Sequence, residues 1–303
     1  MIHILVHLLL LLLFPPLLIG VINKTKALFA GRVGIPFFQL YRDILKLMKK
    51  GMVISGTTTW VFRAGPVVSL AVAILAGLLV PLGTIPAFVS FTGDFLLFAY
   101  LFALGRFFTT TAALDTGSSF EGMGSSREVT FAVLTEPAMF FAFLVLARLS
   151  GSLSLSGMLA LGEHSLFAVG NVAPLVLIIV GLFIVLLAEN SRLPVDDPAT
   201  HLELTMIHEA MVLDHSGPLL ALIEYGSALK LFVLSSMVLN LILPVHPWPF
   251  WLGGLIWALG LILIAVIIGT IESIMARIRI PRVPALLIAA ILLCGSAFIM
   301  LVR

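Results

Sequence analysis

Between Leu231 and Ile271 the chain runs for 41 residues without an Asp, Glu, Lys or Arg. A hydrocarbon core of about 30 Å needs about 20 helical residues, so a single helix of that length would overshoot a bilayer about twofold. Pro244, Pro247 and Pro249 interrupt the run, and proline ends or kinks a helix. The stretch therefore predicts two successive membrane spans and a polytopic helical membrane protein.

The composition of the whole chain supports this class. The 303 residues are 61% hydrophobic and 11% charged, and their mean hydropathy is +1.20, whereas a soluble domain is about a quarter charged. The single cysteine, Cys294, excludes a disulfide framework, a Cys-ligated zinc site and an iron–sulfur cluster carried by this chain alone.

Apolar stretches of spanning length occur eight times, which predicts an all-α membrane protein with eight transmembrane helices. The predicted spans are about 2–22, 64–83, 94–114, 129–149, 167–188, 218–243, 250–272 and 283–302. The first span lacks the positive segment and the small-residue cleavage site of a signal peptide. We therefore expect it to be retained, and the whole chain, 1–303, to form one membrane domain.

The lysines and arginines assign the two sides of the membrane. With the N-terminus outside, thirteen of the seventeen fall in the loops after spans 1, 3, 5 and 7, and Arg106 and Lys230 lie in the halves of spans 3 and 6 that border those loops. Arg148 and Arg303 are the exceptions. Positive residues concentrate on the cytoplasmic side of membrane proteins. The sequence therefore predicts a multi-pass protein of the inner (plasma) membrane with both termini outside.

The first cytoplasmic loop predicts an amphipathic helix over 36–50 that lies along the membrane surface. One broad face holds its apolar residues, Phe37, Leu40, Tyr41, Ile44, Leu45, Leu47 and Met48. The charged residues, Arg42, Asp43, Lys46, Lys49 and Lys50, fall mostly on the other face. We expect Asp43, Lys46, Lys49 and Lys50 to form a docking surface for a hydrophilic partner.

Several ionisable residues fall inside the predicted spans: Arg106, Glu136, Glu189, Glu224 and Lys230. Such residues are costly in a membrane and mark functional sites by default. The alternative is that each pairs with a neighbour and only fixes helix packing, and Arg106 could also extend to the interface. Glu224 and Lys230 are six residues apart, on different helix faces, so each is expected to need a partner elsewhere.

The stretch "ENSRLPVDDPATHLELTMIHEAMVLDHSG" (189–217) holds six of the chain's fifteen acids and three of its seven histidines. Asp197 followed by Pro198 predicts a helix start and a helix over about 198–214, with His201, His208 and His215 on one face. Interleaved apolar residues indicate burial on more than one side. Buried carboxylates and histidines have shifted, coupled pKa values and can hold a shared proton pool. The alternative is a polar loop with ordinary surface charges.

A metal site in this stretch is disfavoured. The position four after His208 is Val212, so "HEAMVLDH" is not the H-E-x-x-H motif. Histidines seven residues apart on a helix are about 10.5 Å apart along its axis, too far to share one metal without a third element. We therefore predict no metal site in the chain.

The same stretch resembles the loop after span 5 in the core membrane subunit of respiratory complex I, a family that includes the bacterial subunit and subunit 1 of the mitochondrial enzyme. That loop has the pattern E-T-N-R-x-P-F-D, which is matched here by Glu189, Asn190 (one place earlier), Arg192, Pro194 and Asp196. In "GSSREVTFAVLTEPAM", Arg127 and Glu136 keep the spacing of the family's arginine and glutamate. "LYRDILKLMKKG" (40–51) is similar to its surface helix, so the resemblance covers essentially the whole chain.

Within this superfamily, "YRDILKL", "WVFR" and "LDTGSSFEGMGSSRE" look like the membrane subunit of group 4 [NiFe]-hydrogenases and formate hydrogenlyase-type complexes. This resemblance implies no cofactor in the chain. It implies [NiFe] and iron–sulfur clusters in hydrophilic large and small partner subunits, and antiporter-like membrane subunits that move H⁺ or Na⁺. Two further acids of the complex I loop are replaced by Ala199 and His201, which puts its quinone-chamber carboxylates in doubt.

The predicted function is that of a coupling subunit, which anchors a redox arm and links electron transfer to ion movement. The predicted proton-coupling residues are Glu136, Glu189, Asp196, His201, Glu203, His208, Glu209, Glu224 and Lys230, with Arg127, Arg192 and Asp197 as charge partners. A quinone-reactive complex I subunit is the first alternative, and the residues from Ala199 to Glu203 discriminate. A stand-alone ion transporter is the second, but the sequence lacks the inverted repeats typical of that class. No nucleic-acid partner is expected.

Overall fold

The structure, a computed structural model, describes residues 2–159, 172–196, 206–243 and 249–302. These residues form helices and turns without a strand, apart from an isolated bridge between Leu82 and Ile85. The helices are α1 (Ile2–Leu13), α2 (Pro15–Phe29), α3 (Gln39–Met48), α4 (Trp60–Leu79), α5 (Asp94–Asp115), α6 (Ser119–Ser150), α7 (Leu155–Leu159), α8 (Val172–Glu189), α9 (His208–Val212), α10 (Gly217–Ile242), α11 (Phe250–Ile274) and α12 (Val283–Val302).

The helices confirm the predicted all-α membrane architecture. Among the described residues, seven segments are long and apolar enough to span a membrane: α4, α5, α6, α8, α10, α11 and the segment Ile280–Val302. Helices α1 and α2 meet at a bend of 43°, and they bring the number of spans to eight if the bent pair is counted as one span. The first predicted span is thus two helices, because Pro15 and Pro16 lack the N–H groups that would continue α1.

Helix α10 is the central helix of the bundle. In its most apolar window 67% of the residues are buried inside the protein, compared with 22% for the last span. It packs against α4, α2, α3 and α8. Its two ionisable residues, Glu224 and Lys230, are therefore placed among other helices rather than against lipid.

Helix α6 begins ten residues before the predicted span 129–149, at Ser119, and runs for 32 residues. At 1.5 Å per residue it is about 48 Å long, well beyond the hydrocarbon thickness of about 30 Å. The additional turns bring Glu121 and Arg127 to the end of the bundle where α9 packs.

The predicted amphipathic helix corresponds to α3, which is shorter than the predicted range 36–50. Fewer of its apolar residues face the bundle than predicted, because Leu45 and Met48 are 62% and 51% exposed. The half-buried residues that face the bundle are Leu40, Tyr41, Ile44 and Leu47. Through this face α3 packs on α2 and α10.

Candidate functional site

Arg106 of α5 lies inside the bundle and contacts three carboxylates. Its side chain is 9% exposed, and its Nη1 atom lies 2.6 Å from Oε1 of Glu136. Its Nη2 atom lies 2.5 Å from Oε1 of Glu189, and its Nε atom lies 3.6 Å from Oε1 of Glu128. Because a guanidinium group has five N–H donors in one plane, a single side chain holds α5, α6 and the end of α8 together.

Glu189 extends this arrangement to α10. Its Oε2 atom lies 2.7 Å from Nζ of Lys230, and its Oε1 atom accepts a hydrogen bond of 2.8 Å from Oγ1 of Thr135. Nζ of Lys230 also lies 5.6 Å from the centroid of the Phe102 ring, within range of a cation–π attraction. We call five residues, Arg106, Glu128, Glu136, Glu189 and Lys230, the Arg106 cluster.

The Arg106 cluster runs from the interior of the bundle to its surface. The side chain of Glu189 is 9% exposed, whereas that of Glu136 is 40% exposed. Glu136 thus forms the outer edge of the cluster, and Glu189 lies at its buried centre, in contact with both cations.

The end of α8 positions Glu189. Ser191, just after the helix, has a positive φ of 49°, and the backbone N–H of Arg192 donates a hydrogen bond of 2.8 Å to the carbonyl of Leu187. This left-handed residue and backward bond are the usual way to end a helix and reverse the chain. The reversal leaves Glu189 directed at the cluster and sends Arg192 towards α11.

A second group of buried charges surrounds Glu272 of α11. The Glu272 side chain is fully buried, its Oε2 atom lies 2.9 Å from Nζ of Lys26, and its Oε1 atom lies 3.3 Å from Nη1 of Arg192. Lys26 belongs to α2. We call these three residues the Glu272 cluster. They join three parts of the protein: the first span, the loop that follows α8, and helix α11.

Asp196 organises the following segment. Its Oδ2 atom accepts hydrogen bonds from the backbone N–H groups of Ile207 (3.2 Å) and His208 (3.1 Å), and its Oδ1 atom lies 2.5 Å from Nη2 of Arg277. The predicted continuous helix over 198–214 is wrong for the described part. Met206 and Ile207 are not helical, and α9 ends at Val212. A distant carboxylate, rather than a neighbouring N-cap, thus starts the helix.

Arg127 of α6 holds the same segment from the other side. Its Nη1 atom donates a hydrogen bond of 2.9 Å to the carbonyl of Met206. One turn earlier on α6, Gly124 lies so close to the segment that a Cβ atom there would lie 2.8 Å from the carbonyl oxygen of Ile207. The start of α9 is therefore packed directly against α6.

A cavity of about 340 Å³ connects the two clusters. It lies between α2, α4, α5, α6, α9 and α10, and it has the size of a small-molecule pocket. Its polar and charged lining residues are Asn23, Lys26, Ser69, Arg106, Thr109, Glu128, Glu189, Asn190, Ser191, Arg192, His208, Glu209, His215, Glu224, Ser227 and Lys230. Such a lining can hold water and carry protons between titratable side chains.

Two histidines of the cavity are held neutral. Burial lowers the pKa of His208, and Lys230 adds to that effect, against the opposing influence of Asp196 and Glu224. Burial lowers the pKa of His215 to about 4, and its ring packs against Phe62 with centroids 4.0 Å apart. Both rings are therefore uncharged at neutral pH in this environment.

The structure brings most of the predicted site residues to one place. Glu189, His208, Glu209, Glu224 and Lys230 line the cavity, so the different helix faces of Glu224 and Lys230 open onto the same space. The predicted residues Asp197, His201 and Glu203 lie outside the described residues.

Sequence reasoning missed Glu128, Glu272 and Lys26 as site residues, and it named Arg106 without identifying its partners. These residues sit near predicted helix ends, where a charge is ordinary. Their contacts come from elements 22 to 246 positions away in the chain. For Glu128, its position one residue after Arg127 in the family-like motif was the available signal.

Of the predicted docking residues, Asp43 and Lys46 lie on α3, and Lys49 and Lys50 directly follow it. Lys46, Lys49 and Lys50 are exposed, and half-buried Asp43 accepts a hydrogen bond of 2.8 Å from Nε2 of Gln39. The lysines thus form a free positive surface next to the cavity, whose lining includes Leu40 of the same helix.

The chemistry available at this site is proton exchange and charge compensation. Within 2–159, 172–196, 206–243 and 249–302, no group of three or more His, Cys, Asp or Glu residues could hold a metal ion. The cavity instead combines carboxylates, neutral imidazoles and an amine, the groups that exchange protons in membrane interiors.

Comparison with known proteins places the chain among membrane subunits. The sequence matches a protein family described as NADH dehydrogenase over residues 2–303. Formate hydrogenlyase subunit 4 of Escherichia coli (strain K12) is 30% identical over 303 residues, covering 98% of this chain and 97% of the relative. Hydrogenase-4 component C of the same organism is 33% identical over 237 residues, covering 77% of this chain and 72% of the relative.

A solved structure shares the fold. One chain of the membrane-bound sulfane sulfur reductase (MBS), an archaeal respiratory membrane complex, superposes with a TM-score of 0.84. The sequence identity is 20%, and the superposition covers 99% of this chain and 100% of that chain.

Proposed function

This chain belongs to the NADH dehydrogenase family, among the membrane subunits related to subunit 1 of complex I, and we propose that it is the coupling subunit of a membrane-bound hydrogenase of the formate hydrogenlyase type. In this role it anchors a hydrophilic redox arm at the inner membrane. It links electron transfer in that arm to the movement of H⁺ or Na⁺. The full-length similarity to formate hydrogenlyase subunit 4 supports the proposal.

The observation that carries this proposal is the continuous set of charges between the cavity and Glu136. His208, Glu209 and Glu224 line the cavity, as does Glu189, which pairs with Lys230 and Arg106. Arg106 in turn contacts half-exposed Glu136. We propose that protons enter this chain of groups at the cavity and that Glu136 passes the change in charge to a neighbouring membrane subunit.

The partner subunits follow from the same proposal. The large and small hydrophilic subunits would carry the [NiFe] and iron–sulfur clusters, and antiporter-like membrane subunits would move the ions. The arm would dock on Lys46, Lys49 and Lys50 of α3. In this arrangement three contacts keep α9 and the loop after α8 in place. Asp196 contacts Arg277, Arg127 contacts Met206, and Arg192 contacts Glu272.

A quinone-reactive subunit is the second candidate, and the cavity is the observation that favours it. Its volume of about 340 Å³ lies within the range of about 300–1,000 Å³ that is usual for ligand pockets. A quinone analogue that binds the purified complex in competition with electron transfer would favour this candidate over the hydrogenase type.

The test of the proposed function is the Glu136→Gln complex, reconstituted in proteoliposomes. Gln keeps the shape of the side chain but cannot ionise, so ion uptake per electron should fall steeply while the complex stays assembled. Subunit content, redox turnover and ion uptake are measured on the same preparation. A matched control is Glu136→Asp, which keeps the carboxylate and should retain coupled uptake.

A wild-type ratio of ions to electrons in Glu136→Gln would remove Glu136 from the pathway. Co-purification of the wild-type chain without any hydrophilic redox subunit would reject the function as a whole.

A further inference from the structure

The break between α1 and α2 leaves backbone carbonyls without helical partners. Pro15 and Pro16 carry no N–H, so the helix bonds to the carbonyls of Leu11 and Leu12 cannot form. The N–H of Leu17 turns instead to the carbonyl of Phe14 at 3.1 Å, which leaves the carbonyl of Leu13 free of a helix bond. In a bilayer such groups are costly unless other parts of the protein satisfy them.

Two tyrosines from different helices satisfy two of these three carbonyls, those of Leu12 and Leu13. The hydroxyl of Tyr41 in α3 donates a hydrogen bond to the carbonyl of Leu13. The hydroxyl of Tyr225 in α10 donates one of 2.7 Å to the carbonyl of Leu12. The chain has three tyrosines, so two of the three converge on adjacent carbonyls of one break.

The tyrosines belong to elements that matter for the proposed function. Tyr41 lies on α3 together with Lys46, and the docking residues Lys49 and Lys50 directly follow that helix. Burial raises the pKa of the Tyr41 hydroxyl, so it remains a donor at neutral pH. Tyr225 directly follows Glu224 of the cavity, and Lys230 lies five residues further along α10. The break therefore lies between the proposed docking helix and the charges of the central helix.

The surroundings make this junction tight. Gly20, shortly after the break, lies so close to the segment that leads into α3 that a Cβ atom there would collide with the carbonyl oxygen of Phe37. Helices α2, α3 and α10 pack on one another around the break. The segment that leads into α3 therefore lies in direct backbone contact with α2.

From these contacts we propose that Tyr41 and Tyr225 are positioning residues that fasten α3 and α10 to the break in the first span, so that a movement of α3 is passed to Glu224 and Lys230. The inference rests on the proposed function, because it assumes that the redox arm acts on α3. A helix break that is held by two other helices can pass a movement from one to the other, since kinked positions are where helices change direction.

The test compares Tyr41→Phe, Tyr225→Phe and the double variant in the purified complex. Each change removes one hydroxyl and keeps the ring. Hydrogen exchange of the α3 amides should become about fivefold faster, the effect expected for loss of one hydrogen bond of about 1 kcal/mol. Ion uptake per electron in proteoliposomes should fall by about half or more, while subunit content is unchanged.

Tyr100→Phe is the matched control, because Tyr100 of α5 is 66% exposed and the same change there should alter neither measurement. Unchanged hydrogen exchange of the α3 amides in the double variant would show that the tyrosines do not hold α3 at the break. Faster exchange with an unchanged ion-to-electron ratio would show that a movement of α3 is not passed to Glu224 and Lys230 through the tyrosines. If the double variant does not assemble, the two single variants decide both points.

These outcomes separate the inference from the function on which it rests. A wild-type complex that transfers electrons without ion uptake would reject the proposed function and the transmission with it. The exchange rates of the α3 amides would still decide whether the two tyrosines hold α3 at the break.

Discussion

At the scale of single residues, Glu189 is the side chain on which the Arg106 cluster depends. It contacts two cations inside the bundle through separate oxygens, Oε1 to Arg106 and Oε2 to partly buried Lys230. Glu136 contacts one of those cations from the edge of the bundle. The same substitution at Glu189 and at Glu136 should therefore lower the stability of the protein by different amounts.

We predict that Glu189→Gln destabilises the protein by about 3–5 kcal/mol, because Arg106 and Lys230 both lose the carboxylate that lies nearest to them. Glu136→Gln should cost about 1 kcal/mol or less, as expected for a half-exposed ion pair. Thermal unfolding of the two variants in the same detergent measures the difference. Equal melting temperatures would contradict the central role of Glu189.

His215 should make stability depend on pH. Its folded pKa of about 4 lies below the unfolded value of about 6.5, so the unfolded state binds more protons between these values and stability falls as the pH falls through this window. Between pH 7.5 and pH 5 the loss should be about 2 kcal/mol. His215→Leu should remove this part of the slope in thermal unfolding, while His208 and the other histidines remain. A variant with the same slope as the wild type would contradict the assignment.

Sequence reasoning identified residues whose own position is unusual and missed those made important by their partners. Glu136, Glu189 and Lys230 lie within apolar runs, so the sequence alone indicates that each places a charged group at a costly position in the membrane. Glu272 and Lys26 sit at the ends of helices, and their burial follows from the packing of α11 on α2. Contacts between distant segments are not encoded in the local pattern.

At the level of secondary-structure elements, α3 and α9 both contribute residues to the lining of the cavity. Both are short, and each is held by residues far away in sequence: α9 by Asp196 and Arg127, and α3 by its packing on α2 and α10. Asp196 is 1% exposed, so its carboxylate serves the fold at this point. The exposed lysines of α3 remain available for an external partner.

We predict that the triple variant Lys46→Glu, Lys49→Glu, Lys50→Glu loses the hydrophilic arm during purification at moderate salt, because charges at an interface set the strength and salt dependence of docking. The isolated chain should keep its melting temperature, since these side chains are exposed. Arg148→Glu, at an exposed position of α6 outside the α3 surface, is the control. An arm that stays bound at high salt would reject docking on α3.

Helix positions were predictable where apolar length alone determines them, and less so where capping or tertiary contacts do. The spans from α4 onward follow the apolar runs. The broken first span was missed although Pro15 and Pro16 are visible, because an apolar run of spanning length outweighed them. The helix over 198–214 was mispredicted because Asp197-Pro198 is a local start signal, while Asp196 caps α9 from a distance.

At the scale of the whole molecule, the orientation in the membrane remains a prediction from the distribution of positive charges. We predict that single cysteines at Lys49 and Arg279 react with a membrane-impermeant reagent from the cytoplasm, and that one at Ser90 reacts from outside. Lys49 and Ser90 are exposed, and the native Cys294 is buried and should stay silent. Labelling of the Lys49 and Ser90 positions from the same side would reject the topology.

The composition of the two clusters has a consequence for how charge is balanced inside the protein. In the Arg106 cluster, two cations and three carboxylates leave one negative charge when all five groups are ionised. In the Glu272 cluster, Lys26 and Arg192 against one carboxylate leave one positive charge. A medium of low dielectric penalises net charge, and both cations of the Glu272 cluster line the same cavity as the Arg106 cluster. Each cluster can thus serve as the counter-charge of the other across the cavity.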